Sequence, residues 1–83
     1  MNRILVEIYL PPALAAYDVR IPADVQLYKS IALVGQALSR LSGGLYTADR
    51  DAVVLQRDNG AILNINMTPW ELGIRNGSRL MLI

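Results

Sequence analysis

The spacing of apolar residues along this chain changes character once, and that change constrains the fold more than any other feature. In "RILVEIYL", Ile4, Val6, Ile8 and Leu10 alternate with Arg3, Leu5, Glu7 and Tyr9. A period of two sends successive side chains to opposite faces of a half-buried strand. Pro11 and Pro12 then remove two backbone donors and end it. "AYDVRIP" alternates again, with Tyr17, Val19 and Ile21 opposite Ala16, Asp18 and Arg20, so the two runs read as an antiparallel hairpin. Past Asp24 the period lengthens. Leu27, Ile31, Val34, Leu38 and Leu41 recur at helical spacing on one stripe. Asp24 is the expected N-cap and Gly43-Gly44 the stop. Gly35, inside this helix, costs on the order of 1 kcal/mol relative to alanine. Close packing on the sheet would account for it, and so would simple tolerance.

The second half returns to strands. "AVVLQR" is a third strand, and Asn59-Gly60 is a strong hairpin signal leading into a fourth. Thr68, Pro69 and Glu71 supply the parts of a capping box, so one helical turn is expected there before Gly73 closes it. "RLMLI" is a fifth strand, entered through the tight turn "RNGS". The order is ββ, a long helix, ββ, a helical turn, β. A hairpin and a helix with one apolar side each must bury those sides against one another. In folds of this order the first and last strands pair in parallel at the sheet centre, here with Leu80 and Leu82 inward. The expected class is α+β: a five-stranded mixed sheet with the helix across one face.

Size and composition narrow the function. With 83 residues and 9.2 kDa the chain reads as one domain, 1–83. It has no cysteine and no histidine. Disulfides, thiolate chemistry, Cys/His metal sites and the usual neutral-pH base are therefore excluded. The absence of cysteine fits a cytoplasmic location. "MNRILVEIYLPPALAA" is not read as a signal peptide, because Glu7 and the proline pair interrupt its apolar run. No stretch reaches the roughly 18–20 apolar residues of a membrane span. The net charge is +1 with no basic stripe, which argues against nucleic acid.

Catalysis finds no support either. Asp24 and Glu71 are accounted for as caps and Asp58 by its turn, while Asp49 and Asp51 flank Arg50 in a loop that reads as a solvated turn. No nucleophile stands near a base, and no glycine-rich loop follows a strand to cradle phosphate. No metal or cofactor is expected.

The element order and the ending "ELGIRNGSRLMLI" resemble the ubiquitin-like β-grasp superfamily. Gly73-Ile74, Asn76-Gly77, Leu80 and Leu82 fall where its members carry a short turn, a "GI" pair, a "(D/N)G" turn and an L-x-L strand. Within it, the length and the ending are similar to the YukD/EsaB group of bacterial proteins associated with type VII secretion. The resemblance covers nearly the whole chain and is most specific over its last fifteen or so residues. It implies a β-grasp fold and an accessory or regulatory role in such a secretion system. An adaptor or auxiliary subunit of another assembly, such as a multicomponent oxygenase, is the alternative.

Covalent modifiers and sulfur carriers of this superfamily need a flexible Gly-Gly extension, whereas the last carboxylate here belongs to Ile83 at the end of a strand. A non-conjugated binding module is the expected function. By alternation the uncovered sheet face collects Leu5 and Tyr9, Val54, and Met81 and Ile83. The matching region is the usual partner surface in ubiquitin-like folds. A protein partner, including a component of the secretion machinery, is one expected occupant and a second copy of the chain is the other. Trp70 is expected to pack over the end of the core rather than to anchor an interface. Arg75, Arg79 and Arg3 are read as solvated charge.

Overall fold

The two alternating runs form the expected hairpin. In the computed structural model, which describes residues 2–49 and 51–83, β1 (Arg3–Leu10) pairs antiparallel with β2 (Ala15–Pro22) from Arg3↔Pro22 to Leu10↔Ala15. Met1 and Arg50 lie outside the described residues. Pro11–Ala13 makes a single 3-10 turn at the corner, a conformation that proline's fixed φ favours. Leu14 then takes a φ of 49° so that its N–H can return to the Pro11 carbonyl.

β4 (Arg79–Leu82) lies parallel to β1, with Glu7↔Arg79 and Tyr9↔Met81 in register. β3 (Val54–Gln56) pairs antiparallel on its far side, giving the order β2-β1-β4-β3. The first and last strands thus adjoin at the centre. Ile83 extends this ladder by exchanging two backbone hydrogen bonds with Val53, of 3.0 and 2.8 Å.

The described sheet has four strands, not five. The turn at Asn59-Gly60 does form, with Gly60 at a φ of 71°, but the return segment makes only an isolated bridge, Leu55↔Ile62. The physical reason lies a few residues on. The chain turns at Asn64, which accepts the N–H groups of both Asn66 and Met67, and swings away from the sheet. There the carbonyls of Ile65 and Met67 accept the N–H groups of Tyr28 and Leu27, each at 2.9 Å.

Those two bonds serve the start of α1 (Leu27–Leu41). The N-cap is Gln26, without a side-chain bond, so the expected cap at Asp24 is not made. Orphan donors of a first turn need acceptors from somewhere, and here backbone from the other half of the chain provides them. The far end is closed as a Schellman motif: the N–H of Gly44 reaches Ser39, that of Gly43 reaches Arg40, and Gly43 sits at a φ of 65°.

The helix lays Leu27, Ile31 and Leu38 on the sheet, with Val34 half-buried beside them. Leu41 is 64% exposed, so the stripe ends one turn earlier than its spacing predicts. Gly35 is buried, but against Tyr46 and Ala48 of the following loop rather than the sheet. The sheet contributes Val6, Ile8, Leu10, Ile21, Leu80 and Leu82 to the core. Burying each of these side chains is worth about 1.5–3 kcal/mol, which outweighs any surface pair in the molecule.

Candidate functional site: the outward sheet face

With α1 covering one face of the sheet, the side chains of opposite parity face away from it. Register decides who meets whom there, because cross-strand partners share a face. Tyr9 pairs with Met81, Met81 with Leu55, and Leu55 with Ile62. An apolar row therefore crosses from β1 to the return segment beyond β3. Ile83, just past the end of β4 and two residues on from Met81, is half exposed.

A charged row runs beside it. Asp18, Glu7 and Arg79 are neighbours in register, and Arg57 follows β3. Arg57 Nη1 donates to Glu7 Oε1 at 2.6 Å, spanning β4 to do so, and its guanidinium carbon lies 4.4 Å from the centre of the Tyr9 ring. Arg79 is tied to Asp58 at 2.9 Å. Leu5 lies on the other side of this charged row, so it joins the same face but not the same cluster.

Val54 does not belong to the face. It is 1% exposed and pairs with the buried Leu82, so it is a core residue and Leu55 takes the outward position. "AVVL" is apolar throughout and carries no alternation from which parity can be read. Ile62 was missed for a related reason, since its side chain shares a face with Leu55 only through a bridge that spacing does not reveal.

Trp70 does not cover the core. It is 73% exposed and stands at an open groove with Ile4, Ile74 and Arg75. The turn that carries it is built as the sequence predicts: Glu71 N–H donates to Thr68 Oγ1 at 3.1 Å, and Thr68 N–H donates to Glu71 Oε1 at 2.9 Å. A second Schellman pair, Ile74 N–H to Pro69 and Gly73 N–H to Trp70, closes it after one turn. Pro69 is the buried member, and the indole is directed out.

Chemistry is sparse elsewhere. Asp49 accepts the N–H of Asp51 in a local turn. Among the described residues no group of three or more acidic side chains is placed to hold a metal ion. Tyr46 has its hydroxyl pKa raised by burial first and by the charge of Asp49 second, and it lies away from the outward face.

Over residues 3–82 the sequence matches the family described as WXG100 protein secretion system (Wss), protein YukD. The chain belongs to the YukD family. Solved structures share the fold of this YukD-family chain. The ubiquitin-like domain of EccD5 from Mycobacterium xenopi is 18% identical with a TM-score of 0.82, the match covering 100% of this chain and 94% of that one. The ubiquitin-like domain of the Mycobacterium tuberculosis type VII secretion system protein EccD1 is 18% identical with a TM-score of 0.78, over 100% and 99%. A chain of the MycP5-free ESX-5 inner membrane complex is 15% identical with a TM-score of 0.79, over 100% of this chain and 21% of that one. No curated protein sequence matches. The fold is thus the ubiquitin-like β-grasp. No helix among the described residues is long and apolar enough to cross a membrane.

Proposed function

We propose that this YukD-family chain is a non-enzymatic, non-covalently acting protein-interaction module, serving as an accessory or regulatory component of a bacterial type VII secretion system on its cytoplasmic side. The observation that carries this reading is the row Tyr9–Met81–Leu55–Ile62, an apolar strip on a sheet whose other face is already filled by α1. Apolar surface removed from water gains about 25 cal/mol per Å², so covering such a strip with a partner is favourable. A chain of similar fold within the ESX-5 inner membrane complex supports a partner drawn from the secretion machinery.

The test is co-purification of the tagged chain with type VII secretion proteins of its own source cell. Tyr9→Glu combined with Met81→Lys should retain the native circular dichroism spectrum and lose the complex. Retention of the complex by the folded double variant removes this face from consideration. A second copy of the chain on the same strip is the competing occupant, and sedimentation of the wild-type chain alone as a dimer would favour it.

A further inference from the structure

The outward face is not the only surface built to receive a partner. β2 is an edge of the sheet, and its parity is fixed from two sides. Ala23 N–H donates to the Asn2 carbonyl, while the Leu5 carbonyl accepts from Gly77 N–H and Glu7 N–H donates to the Ser78 carbonyl, both on the side of the turn that leads into β4. Ile4, Val6 and Ile8 therefore spend theirs on Ile21, Val19 and Tyr17. The N–H and C=O groups of Ala16, Asp18 and Arg20 point away from the sheet. Unpaired strand edges of this kind are templates for an added strand.

Between this edge and α1 runs a groove of about 430 Å³. Val25, Val34 and Leu33 line it with apolar surface, and Leu33 is 75% exposed. Arg3, Arg20 and Lys29 stand around it, none of them in an ion pair among the described residues. The acids closest in sequence to these three cations, Glu7, Asp18 and Asp24, do not line it. Ser30 also lines it, with its buried hydroxyl unpartnered among the described residues.

From this combination we infer a second docking site, in which an extended peptide of a partner protein adds as a strand to β2, its apolar side chains over Leu33 and Val34 and flanking acids against Arg3, Arg20 and Lys29. Strand addition satisfies the free groups of Asp18 and Arg20, the apolar floor takes alternate side chains, and the three cations select against neutral or basic sequences. The site is separate from the Tyr9–Met81 strip, so it stands or falls on its own.

The probe is a synthetic peptide, Glu-Asp-Val-Ile-Val-Ile-Asp-Glu, titrated into the full chain and followed by amide chemical shifts. The expected result is saturable shifts at Asp18, Arg20 and Leu33. Affinity should fall about tenfold, equivalent to ~1.4 kcal/mol, in the exposed double variant Arg20→Glu with Lys29→Glu. It should weaken as well at molar salt, where the screening length is about 3 Å. Leu33→Glu, also at an exposed position, should abolish the shifts while leaving the spectrum folded. Equal binding of a version with Lys at every acidic position overturns the proposal. So do shifts confined to Tyr9 and Met81, the absence of any shift, or dimerisation of the chain through β2.

Discussion

Arg57 reaches over β4 to Glu7, placing a guanidinium on the Tyr9 ring at the middle of the outward face. The pair is about one-third exposed on both sides, with side-chain exposures of 36% and 33%. Solvent screening at such sites holds the ion pair to about 0.2–1 kcal/mol, with the aromatic contact adding about 0.5–1. A double-mutant cycle of Arg57→Ala and Glu7→Gln should return a coupling within that range and lose most of it in 1 M salt. A coupling above about 2 kcal/mol would mean the pair is a structural clamp rather than a loose cover.

Two glycines should respond to alanine with opposite signs. Gly35 has ordinary helical backbone, and an added Cβ would meet Ala48 and the Tyr46 hydroxyl at 3.6 and 3.7 Å, which is normal contact. Gly35→Ala should stabilise by up to about 1 kcal/mol. Gly73 sits at a φ of 75° with nothing near its Cβ position, so Gly73→Ala meets only conformational strain, about 1–2 kcal/mol. Urea midpoints with unchanged slopes would read both effects.

Within β4, parity predicts sharply different costs. Leu82 is fully buried and Leu82→Ala should destabilise by about 2–5 kcal/mol. Met81, on the outward face, should lose under about 1 kcal/mol on the same change. Chemical denaturation of the two variants makes the comparison, and equal losses would contradict the orientation of the strand.

β3 offers the same test for the corrected register. Val54→Glu should prevent stable folding, since it places an unpaired carboxylate in the core beside Leu82. Leu55→Glu should fold and, under the proposed function, reduce co-purification with a secretion-machinery partner. Circular dichroism and co-purification separate the two outcomes.

Tyr46 gives a pH prediction. Burial, and secondarily Asp49, hold its folded-state pKa above the ordinary value of about 10. The folded chain therefore keeps its proton to higher pH than the unfolded chain. This contribution is fully present below about pH 10 and is lost as pH rises through the folded value. Midpoints measured across the alkaline range should fall more steeply in the wild type than in Tyr46→Phe.

The elements that were legible in the sequence are those whose period is set locally. β1 and β2 alternate cleanly, α1 shows its stripe from Leu27 to Leu38, and Thr68 with Glu71 spells out a capping box. What was not legible depends on contacts distant in sequence. Asp24 is a good cap by type, but the Ile65 and Met67 carbonyls reach the helix first. Those same two residues are drawn out of the strand that the Asn59-Gly60 turn predicts. Val54 and Leu55 sit in an unbroken apolar run, so one residue of slippage exchanged core for surface. The outward face was found from Tyr9, Met81 and Ile83, while the groove at β2 left no sequence signal because its lining comes from the end of β1, the edge of β2 and the first turns of α1.

The bonds from Leu27 and Tyr28 to Met67 and Ile65 have a kinetic corollary. The first turn of α1 takes these acceptors from a segment almost forty positions downstream, so we expect it to stay frayed during folding until that segment has docked. Such dependence on distant closure slows folding relative to a locally capped helix. It also couples the two segments locally: loosening Asn64 or Met67 should be felt first as hydrogen exchange at the amides of Leu27 and Tyr28, on the opposite half of the chain.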